Sequence, residues 1–301
     1  MKNLLSVEPL KVEDIEKIFS KARSFKKEGI SKKYSGDWIL MFLEPSTRTR
    51  LSFERALNHL GFKTYLFTAE GSSLKKGETL RDTFLTLHAQ GFEGVVIRTP
   101  INGQLKEVED IPLKIINAGD GTNEHPTQAL IDAYTLFEHF SSLKNLKVVY
   151  VGDIKFSRVF RSGLKLLKKL GAKVAICAPR SLKPAETELL PLDADFSSLD
   201  EALEWCDAAI FLRIQKERQN QPLITSERDY LQLYGLTPER AKFLKDRKKV
   251  YLHPGPVNRN VEIASSEVYG KGSLILKQVE NGIFVRAAVV DLLYEYLLPQ
   301  R

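Results

Sequence analysis

Short apolar runs alternate with longer amphipathic stretches along most of the chain. The runs are typical of buried strands, whereas the longer stretches repeat apolar residues at helical spacing. This alternation predicts an α/β fold in which parallel sheets are flanked by helices. In the first half the predicted strands are 38–43, 62–68 and 94–100, and the predicted helices are 46–60, 78–90 and 126–140.

A second unit of the same kind is predicted to begin with "LKVVYVGD" at 146–153, after a short polar break. We therefore predict two domains joined by interdomain helices. The first spans 1–134, with a C-terminal helix at about 282–301 packing back on it, and the second spans 135–281. Ligands of such sheets bind at the carboxyl ends of the strands. The predicted strands of the second unit are 146–152, 173–179, 208–213 and 249–254, and its predicted helices are 157–170 and 198–206.

Composition narrows the class of protein. The 301 residues are 43% hydrophobic and 9% aromatic, which is enough for a substantial core. A net charge of +7 suits either a nucleic-acid partner or a site for small anions. Because the basic runs are scattered, and one of them, 165–171, has the spacing of a solvated helix face, we expect no nucleic-acid partner.

The sequence also predicts where the protein is located and what it lacks. No apolar run approaches the roughly 20 residues of a membrane span, and acidic residues interrupt the start of the chain, so we expect a cytoplasmic protein without membrane attachment. Cys177 and Cys206 have no ligand-like spacing and are predicted to be buried or idle thiols. "VGDIKFS" lacks the glycine pattern of a dinucleotide turn, and we expect no metal and no cofactor.

One dense group of donors follows the first predicted strand, in "LEPSTRTRLSFE" at 43–54. A helix that starts there directs free N–H groups and partial positive charge out of the strand's carboxyl end, which suits a phosphate. Arg50 lies roughly 200° around the helix from Arg48, so we assign Arg48 to the ligand and Arg50 to structure. A basic helix start that faces solvent is the alternative. The other candidate donors of this turn are Ser46, Thr47 and Thr49.

Two further turns are expected at the same edge of the first sheet. Arg98 ends the third predicted strand, and "HPTQ" places His125 before a helix that begins at Pro126, with Gln128 in its first turn. A lone histidine before proline is more often a helix cap or a satisfied core ring than a catalytic group. Because Arg98 and Gln128 are expected at the same edge of the sheet, we assign His125 to a shared anion site.

The chain resembles the aspartate carbamoyltransferase family, in its catalytic chain, over essentially its whole length. The resemblance rests on blocks in the family's order: "STRTR", "SSLKKGETLRDT", "VIRTP", "NAGDGTNEHPTQALID", "VGDIKFSRVFRS", "LRIQKER", "HPGPVNRNVEI" and "VENGIFVRAAV". "STRTR" and "HPxQ" alone would indicate only carbamoyl-phosphate chemistry. The blocks of the second half indicate aspartate as the second substrate.

The resemblance implies a role for each residue of the first site. Ser46, Thr47, Arg48 and Thr49 would bind the phosphate of carbamoyl phosphate, and Arg98 would reach both the phosphate and the carbonyl oxygen. Thr49, Arg98 and His125 would form the oxyanion site. Gln128, together with the loop of Gly255 and Pro256, would hold the carbamoyl NH₂ group.

It also implies an aspartate site and an oligomer. Arg158 and Arg213, at predicted strand ends, suit the two carboxylates of L-aspartate, with Gln215 close by in sequence. Ser72 and Lys76 would enter the site of the neighbouring chain, which predicts a homotrimer with shared active sites. Family members are free trimers or associate with regulatory chains or dihydroorotase, and the sequence does not choose among these.

Two departures and two alternatives accompany this interpretation. Gly255 and Thr99 stand where some relatives carry a bulky residue and a histidine. Ornithine carbamoyltransferase is the nearest alternative enzyme, but its "SMG" and "HCLP" blocks are replaced here by "RIQKER" and "HPGP". A non-catalytic anion-binding module is the alternative from another class. The predicted function is carbamoyl transfer to L-aspartate in pyrimidine biosynthesis.

Overall fold

In the computed structural model of the chain, the residues described are 2–68, 72–215, 224 and 226–295. They divide into two units, one of residues 1–131 with 279–301 and one of 132–278. The chain passes between the units within the helix Pro126–Phe140 and again within the helix Ile275–Glu295. The predicted fold class, two parallel sheets flanked by helices, is confirmed.

The first unit is built on a parallel sheet of four strands in the order β2-β1-β3-β4. One face of this sheet packs on α3 through Phe84, Leu80 and Leu87, which contact apolar side chains of β1 and β3. In chain order its elements are α1 (Val12–Glu28), β1 (Asp37–Phe42), α2 (Thr47–Leu60), β2 (Lys63–Phe67), α3 (Leu80–Ala89), β3 (Gly94–Thr99), β4 (Lys114–Asp120) and α4 (Pro126–Phe140), with short 3₁₀ helices at Ser73–Lys76 and Gln104–Val108.

The second unit contains a parallel sheet of five strands in the order β7-β6-β5-β8-β9. Both cysteines lie in its apolar core, and burial raises the pKa of each thiol to about 12. The prediction of buried thiols is therefore confirmed. Its elements are β5 (Lys147–Val151), α5 (Arg158–Lys169), β6 (Lys173–Cys177), β7 (Ala194–Phe196), α6 (Leu199–Trp205), β8 (Ala208–Phe211), α7 (Glu227–Tyr234), α8 (Pro238–Asp246) and β9 (Val250–Leu252), with 3₁₀ helices at Arg180–Leu182 and Thr187–Leu189. The last helix, α9 (Ile275–Glu295), begins in this unit and from Val279 belongs to the first.

The helix that follows the donor-rich turn shows how sequence sets local structure. Ser46 is the N-cap of α2, and the buried face of the helix repeats at helical spacing through Phe53, Leu57 and Leu60. Gly61 ends it in the left-handed region at φ 106°. A side chain there would bring its Cβ within 2.2 Å of the Tyr34 carbonyl oxygen, so the turn requires glycine.

Three predicted elements need correction. "KIINAGD" at 114–120 is strand β4, although its last residues, "NAGD", were predicted to be loop. The strand predicted at 208–213 ends at Phe211, so Arg213 lies just beyond it. The last helix begins at Ile275, earlier than the predicted 282, and residues 296–301 lie outside the described residues. Within the described chain, no helix is long and apolar enough to cross a membrane.

Candidate active site

The first turn of α2 presents a group of donors at the carboxyl end of β1. Ser46 is the N-cap, and its side chain makes no capping hydrogen bond, so the hydroxyl is not used by the helix itself. Thr47 and Arg48 are exposed, and the first turn contains no acidic residue. Arg50 instead pairs with Glu54 one turn along, at 3.3 Å. Helix N–H groups, the dipole and Arg48 together suit a dianion such as phosphate.

Arg98 is the centre of a buried group at the same edge of the sheet. Its Nη2 donates to the Thr49 hydroxyl at 3.1 Å and lies 3.2 Å from His125 Nε2, while its Nε donates to the Ala118 carbonyl at 2.8 Å. Arg98, Thr49 and His125 are each no more than 8% exposed. Since a guanidinium has donors only, the contact with His125 is a hydrogen bond when Nε2 carries the lone pair.

Neighbouring strands bring these side chains together. Phe42, at the end of β1, is in register with Arg98 in β3, and β3 in turn pairs with β4, the strand that precedes His125. Because the strands are parallel, their carboxyl ends meet at one edge of the sheet. Arg98 also lies 5.8 Å from the centre of the Phe42 ring, which contributes to holding its guanidinium.

Gln128 lies in the first turn of α4 and is 8% exposed. Its backbone N–H donates to the His125 carbonyl at 3.0 Å. This bond ties Gln128 to His125 through a single helical turn. The first unit therefore contains, at one edge, an anion-binding helix start, a buried group of three donors and an amide.

In the second unit, Arg158 and Arg213 follow two strands that pair directly, with Val151 in register with Phe211. Arg158 is the first residue of α5, and Arg213 lies just beyond β8. Both residues are half-buried. The parallel pairing places the two arginines at one edge of the sheet, where two carboxylates of a small ligand could be bound.

Asp153 fixes the two segments that carry these arginines, although sequence reasoning did not single it out. Its buried carboxylate accepts the Phe156 N–H at 3.0 Å and the Gln215 N–H at 3.1 Å. The side chain of Gln215 donates to the Phe156 carbonyl at 3.0 Å. Gln215 therefore joins the turn before α5 to the segment after β8.

Glu262 plays a comparable part for the loop after β9. Its carboxylate, 1% exposed, accepts the Ile214 N–H at 2.8 Å and the Asn258 N–H at 2.6 Å. His253 lies 3.5 Å from it, Nε2 to Oε2, and its Nδ1 accepts the Gly255 N–H at 2.9 Å. Gly255 has φ 71°, in the left-handed region, which favours glycine where some relatives carry a bulky residue.

Lys76 is the last residue of the 3₁₀ helix after β2, and Ser72 directly precedes that helix. Lys76 is exposed, and nothing described in the first unit brings it to Arg98 or His125. The structure therefore groups Ser46, Thr47, Arg48, Thr49, Arg98, His125 and Gln128 in the first unit and Arg158, Arg213 and Gln215 in the second.

Residues 2–138 match the family described as aspartate/ornithine carbamoyltransferase, carbamoyl-P binding domain, and residues 144–293 match its Asp/Orn binding domain. The chain belongs to the aspartate/ornithine carbamoyltransferase family. The predicted family is thereby confirmed. The two matches meet near the end of α4, one covering the phosphate-suited edge and the other the edge that carries Arg158 and Arg213.

Named relatives of this family agree along the whole chain. The chain is 47% identical over 296 residues to the aspartate carbamoyltransferase catalytic subunit of Aquifex aeolicus, covering 98% of this chain and 100% of that protein. It is 43% identical to the catalytic subunit of Prosthecochloris aestuarii, covering 97% and 98%. Both of these relatives are named as aspartate carbamoyltransferases, and neither is named as an ornithine carbamoyltransferase.

Solved structures of the carbamoyltransferase family have the same fold. Aspartate transcarbamoylase of Trypanosoma cruzi in complex with N-(phosphonacetyl)-L-aspartic acid superposes with a TM-score of 0.86 at 29% identity, covering 96% of this chain and 94% of that one. The catalytic subunit of M. jannaschii aspartate transcarbamoylase superposes with a TM-score of 0.84 at 30% identity, covering 98% of this chain and 99% of that one.

Proposed function

We propose that the chain transfers the carbamoyl group of carbamoyl phosphate to the amino group of L-aspartate, giving N-carbamoyl-L-aspartate and phosphate for pyrimidine biosynthesis. The observation that carries the proposal is the contact of Arg98 with both Thr49 and His125, beside the donor-rich start of α2. Relatives at 43–47% identity are named aspartate carbamoyltransferases.

The first unit supplies the carbamoyl-phosphate site. Ser46, Thr47, Arg48 and the N–H groups of α2 bind the phosphate, where charge and dipole both favour an anion. Thr49, Arg98 and His125 face the carbonyl oxygen and stabilise the negative charge that develops there. Gln128 binds the carbamoyl NH₂ group, and the loop of Gly255 and Pro256 remains a predicted contact of the same group.

The reaction proceeds by direct attack. The aspartate nitrogen forms a bond to the carbonyl carbon, the charge passes to the carbonyl oxygen, and the bond from carbon to the phosphate oxygen then breaks. The departing phosphate accepts the proton of the amine, so no protein base is required. The enzyme contributes orientation of the two substrates and electrostatic stabilisation.

The second unit supplies the aspartate site. Arg158 and Arg213 bind the two carboxylates, since a guanidinium matches a carboxylate with two parallel hydrogen bonds. Gln215 is held beside them by Asp153 and Phe156. Lys76 completes this site from a neighbouring chain, as the resemblance implies.

We further propose a homotrimer in which Ser72 and Lys76 act in the neighbour's site. In support, β2 is an edge strand, and its Tyr65 and Leu66 are 45% and 54% exposed. An edge strand with exposed apolar side chains is usually covered in the working protein, and the segment with Lys76 is the next element after it in sequence. A cytoplasmic location is part of the proposal, and sizing of native extract distinguishes a free trimer from an assembly with regulatory chains or dihydroorotase.

The test is turnover with carbamoyl phosphate and either L-aspartate or L-ornithine, following the carbamoylated amino acid and phosphate together. We expect both products in equal amounts with L-aspartate and a kcat/KM at least 10²-fold lower with L-ornithine, whose cationic side chain would face Arg158 and Arg213. A preference for L-ornithine would instead assign the chain to the ornithine carbamoyltransferases of the family. Binding of carbamoyl phosphate without turnover of either amino acid would favour a non-catalytic module.

A further inference from the structure

We propose that Asp120 is a positioning residue, whose carboxylate holds the loop of His125 against the strand of Arg98. Asp120 is the last residue of β4 and is 2% exposed. It lies five positions before His125 and belongs to no ligand site argued above. The inference rests on the proposed function, because it assigns how two residues of that site are held.

The carboxylate of Asp120 accepts hydrogen bonds on both oxygens from four donors. Oδ1 accepts from the Asn117 side chain at 2.8 Å and from the Glu124 backbone N–H at 3.0 Å. Oδ2 accepts from the Gly103 backbone N–H at 2.8 Å and from the Asn123 side chain at 2.9 Å. One buried side chain therefore fixes four separate points of the backbone and side chains around it.

Those points belong to the segments that carry Arg98 and His125. Gly103 lies in the segment that follows β3, the strand of Arg98, whereas Glu124 directly precedes His125. Thr99 is in register with Asp120 after a shift in the pairing of β3 with β4, and its carbonyl accepts the Gly121 N–H at 2.8 Å. Asp120 thus connects the loop after β3 with the loop after β4 at the edge of the sheet.

The position of Arg98 depends on the same stretch of β4. Its Nε donates to the carbonyl of Ala118, two residues before Asp120. Gly121, just after Asp120, has φ 48°, and a Cβ there would lie 1.9 Å from the Asn102 side-chain oxygen. The loops after β3 and β4 are therefore tightly packed against each other. We expect a displacement of Asp120 to displace both Arg98 and His125.

An amide cannot replace this carboxylate. An asparagine has one acceptor oxygen and one NH₂ group. The NH₂ group, a donor, must therefore take the place of one carboxylate oxygen and point at the donors which that oxygen had bound. Asn117 and Asn123 could rotate their amides, but each oxygen of Asp120 also accepts a backbone N–H, from Glu124 on one side and Gly103 on the other. Either orientation of the amide therefore opposes a backbone N–H that has no alternative orientation.

The principal test compares Asp120→Asn with Asp110→Asn in the intact enzyme. Asp110 is an exposed aspartate of the same unit that pairs with Arg81 at 2.7 Å, so its change removes the same charge away from the site. We expect Asp120→Asn to lower kcat by on the order of 10- to 100-fold, because misplacing a catalytic group by about 1 Å costs up to that much. The inhibition constant of inorganic phosphate should rise by a smaller factor than kcat falls, because Arg48 and α2, which bind the phosphate together with Arg98, make no hydrogen bond to Asp120.

A spectroscopic readout separates positioning from general destabilisation. The ¹⁵N signals of the His125 ring, assigned with His125→Gln, should shift in Asp120→Asn and stay unchanged in Asp110→Asn. If the wild type carbamoylates neither amino acid, the proposed function fails, and these signals alone still decide whether Asp120 positions His125. A kcat within twofold of the Asp110→Asn control, with unchanged His125 signals, would overturn the inference.

A second variant covers the case in which Asp120→Asn does not fold. Asn123 is exposed, and Asn123→Asp keeps its size while placing a second carboxylate against Oδ2 of Asp120. We expect a folded enzyme with kcat lowered by roughly three- to tenfold and shifted His125 signals, since like charges in contact repel. Wild-type kcat together with wild-type His125 signals in this variant would contradict the role of Asp120.

Discussion

The guanidinium of Arg98 lies 3.2 Å from the imidazole of His125, Nη2 to Nε2, although the two residues are 27 positions apart in sequence. Arg98 also donates to the hydroxyl of Thr49, so one side chain contacts groups that follow two other strands of the sheet. Such preorganised donors stabilise negative charge at low cost, because they need not reorient when the charge develops. This relationship links the fold to the proposed chemistry.

Arg48 and Arg50 provide a matched pair of variants. Arg48 is exposed at the start of α2, whereas Arg50 is paired with Glu54. We expect Arg48→Ala to raise the KM for carbamoyl phosphate and lower kcat, since a charged partner of the phosphate is lost. Arg50→Ala should leave both constants within about twofold and cost only about 0.5 kcal/mol of stability. Steady-state kinetics decides, and equal losses in both variants would refute the assignment.

Subunit exchange tests the shared site. Arg48→Ala chains and Lys76→Ala chains are each expected to be nearly inactive. If a site uses Arg48 of one chain and Lys76 of its neighbour, random exchange in equal amounts should restore about a quarter of wild-type activity, because both intact residues must meet by chance. Exchange is verified with differently tagged chains. No recovery after verified exchange would show that each chain holds a complete site.

The pKa of Asp291 predicts how stability depends on pH. Burial alone would raise this pKa, but hydrogen bonds from Lys21 and Tyr34 and the charges of Lys21 and Lys33 outweigh it, so the pKa is lowered from 3.8. A lowered folded-state pKa gives stability that is present above the unfolded value and is lost as pH falls through the folded value.

Asp291→Asn should therefore unfold at a lower temperature than the wild type at pH 7, and the difference should shrink as pH falls below about 3.8. Asp246→Asn is the control, since Asp246 pairs with Lys242 on the surface. Its melting temperature should stay close to that of the wild type. A difference for Asp291→Asn that stays constant from pH 7 to pH 3 would contradict the role given to the buried carboxylate.

Much of the fold follows from periodicity, and its failures have physical causes. The apolar strands β1, β3 and β5 lie close to their predicted positions because their buried residues form uninterrupted apolar runs. The polar residues Asn117 and Asp120 favour a loop at the end of β4, where the structure has strand. These polar side chains are buried because they bond to each other, and Asn117 also donates to the Leu5 carbonyl. A single sequence does not reveal such partners.

The last helix shows a second kind of failure. The helix is predicted to begin at about 282, but in the structure it begins at Ile275 and continues through Asn281 and Gly282. Asn281 accepts a hydrogen bond from Lys26, and Gly282 lies against Arg286, Ser52 and Ile131, where a larger residue would be crowded. Tertiary packing therefore overrides the low helix propensity of both residues.

Candidate ligand residues are easier to recognise in a sequence than the residues that hold them in place. Motif blocks identified Arg98 and His125, because ligand donors must be particular residue types at particular turns. The sequence reasoning missed Asp153, Glu262 and Asp120. Each accepts hydrogen bonds from backbone N–H groups, and a carboxylate of this kind has no distinctive sequence spacing. An acidic residue directly after an apolar strand was the available signal for Asp153.

The central claim, that Arg98 and His125 act as one unit on the carbonyl oxygen, is tested most directly by a double-mutant cycle. Arg98→Met and His125→Ala should each lower kcat for carbamoyl transfer to L-aspartate by on the order of 10²- to 10³-fold. Because residues that act as a unit are not additive, the double variant should be little worse than the poorer single variant. Losses that multiply in the double variant, or near-normal turnover by His125→Ala, would contradict the account.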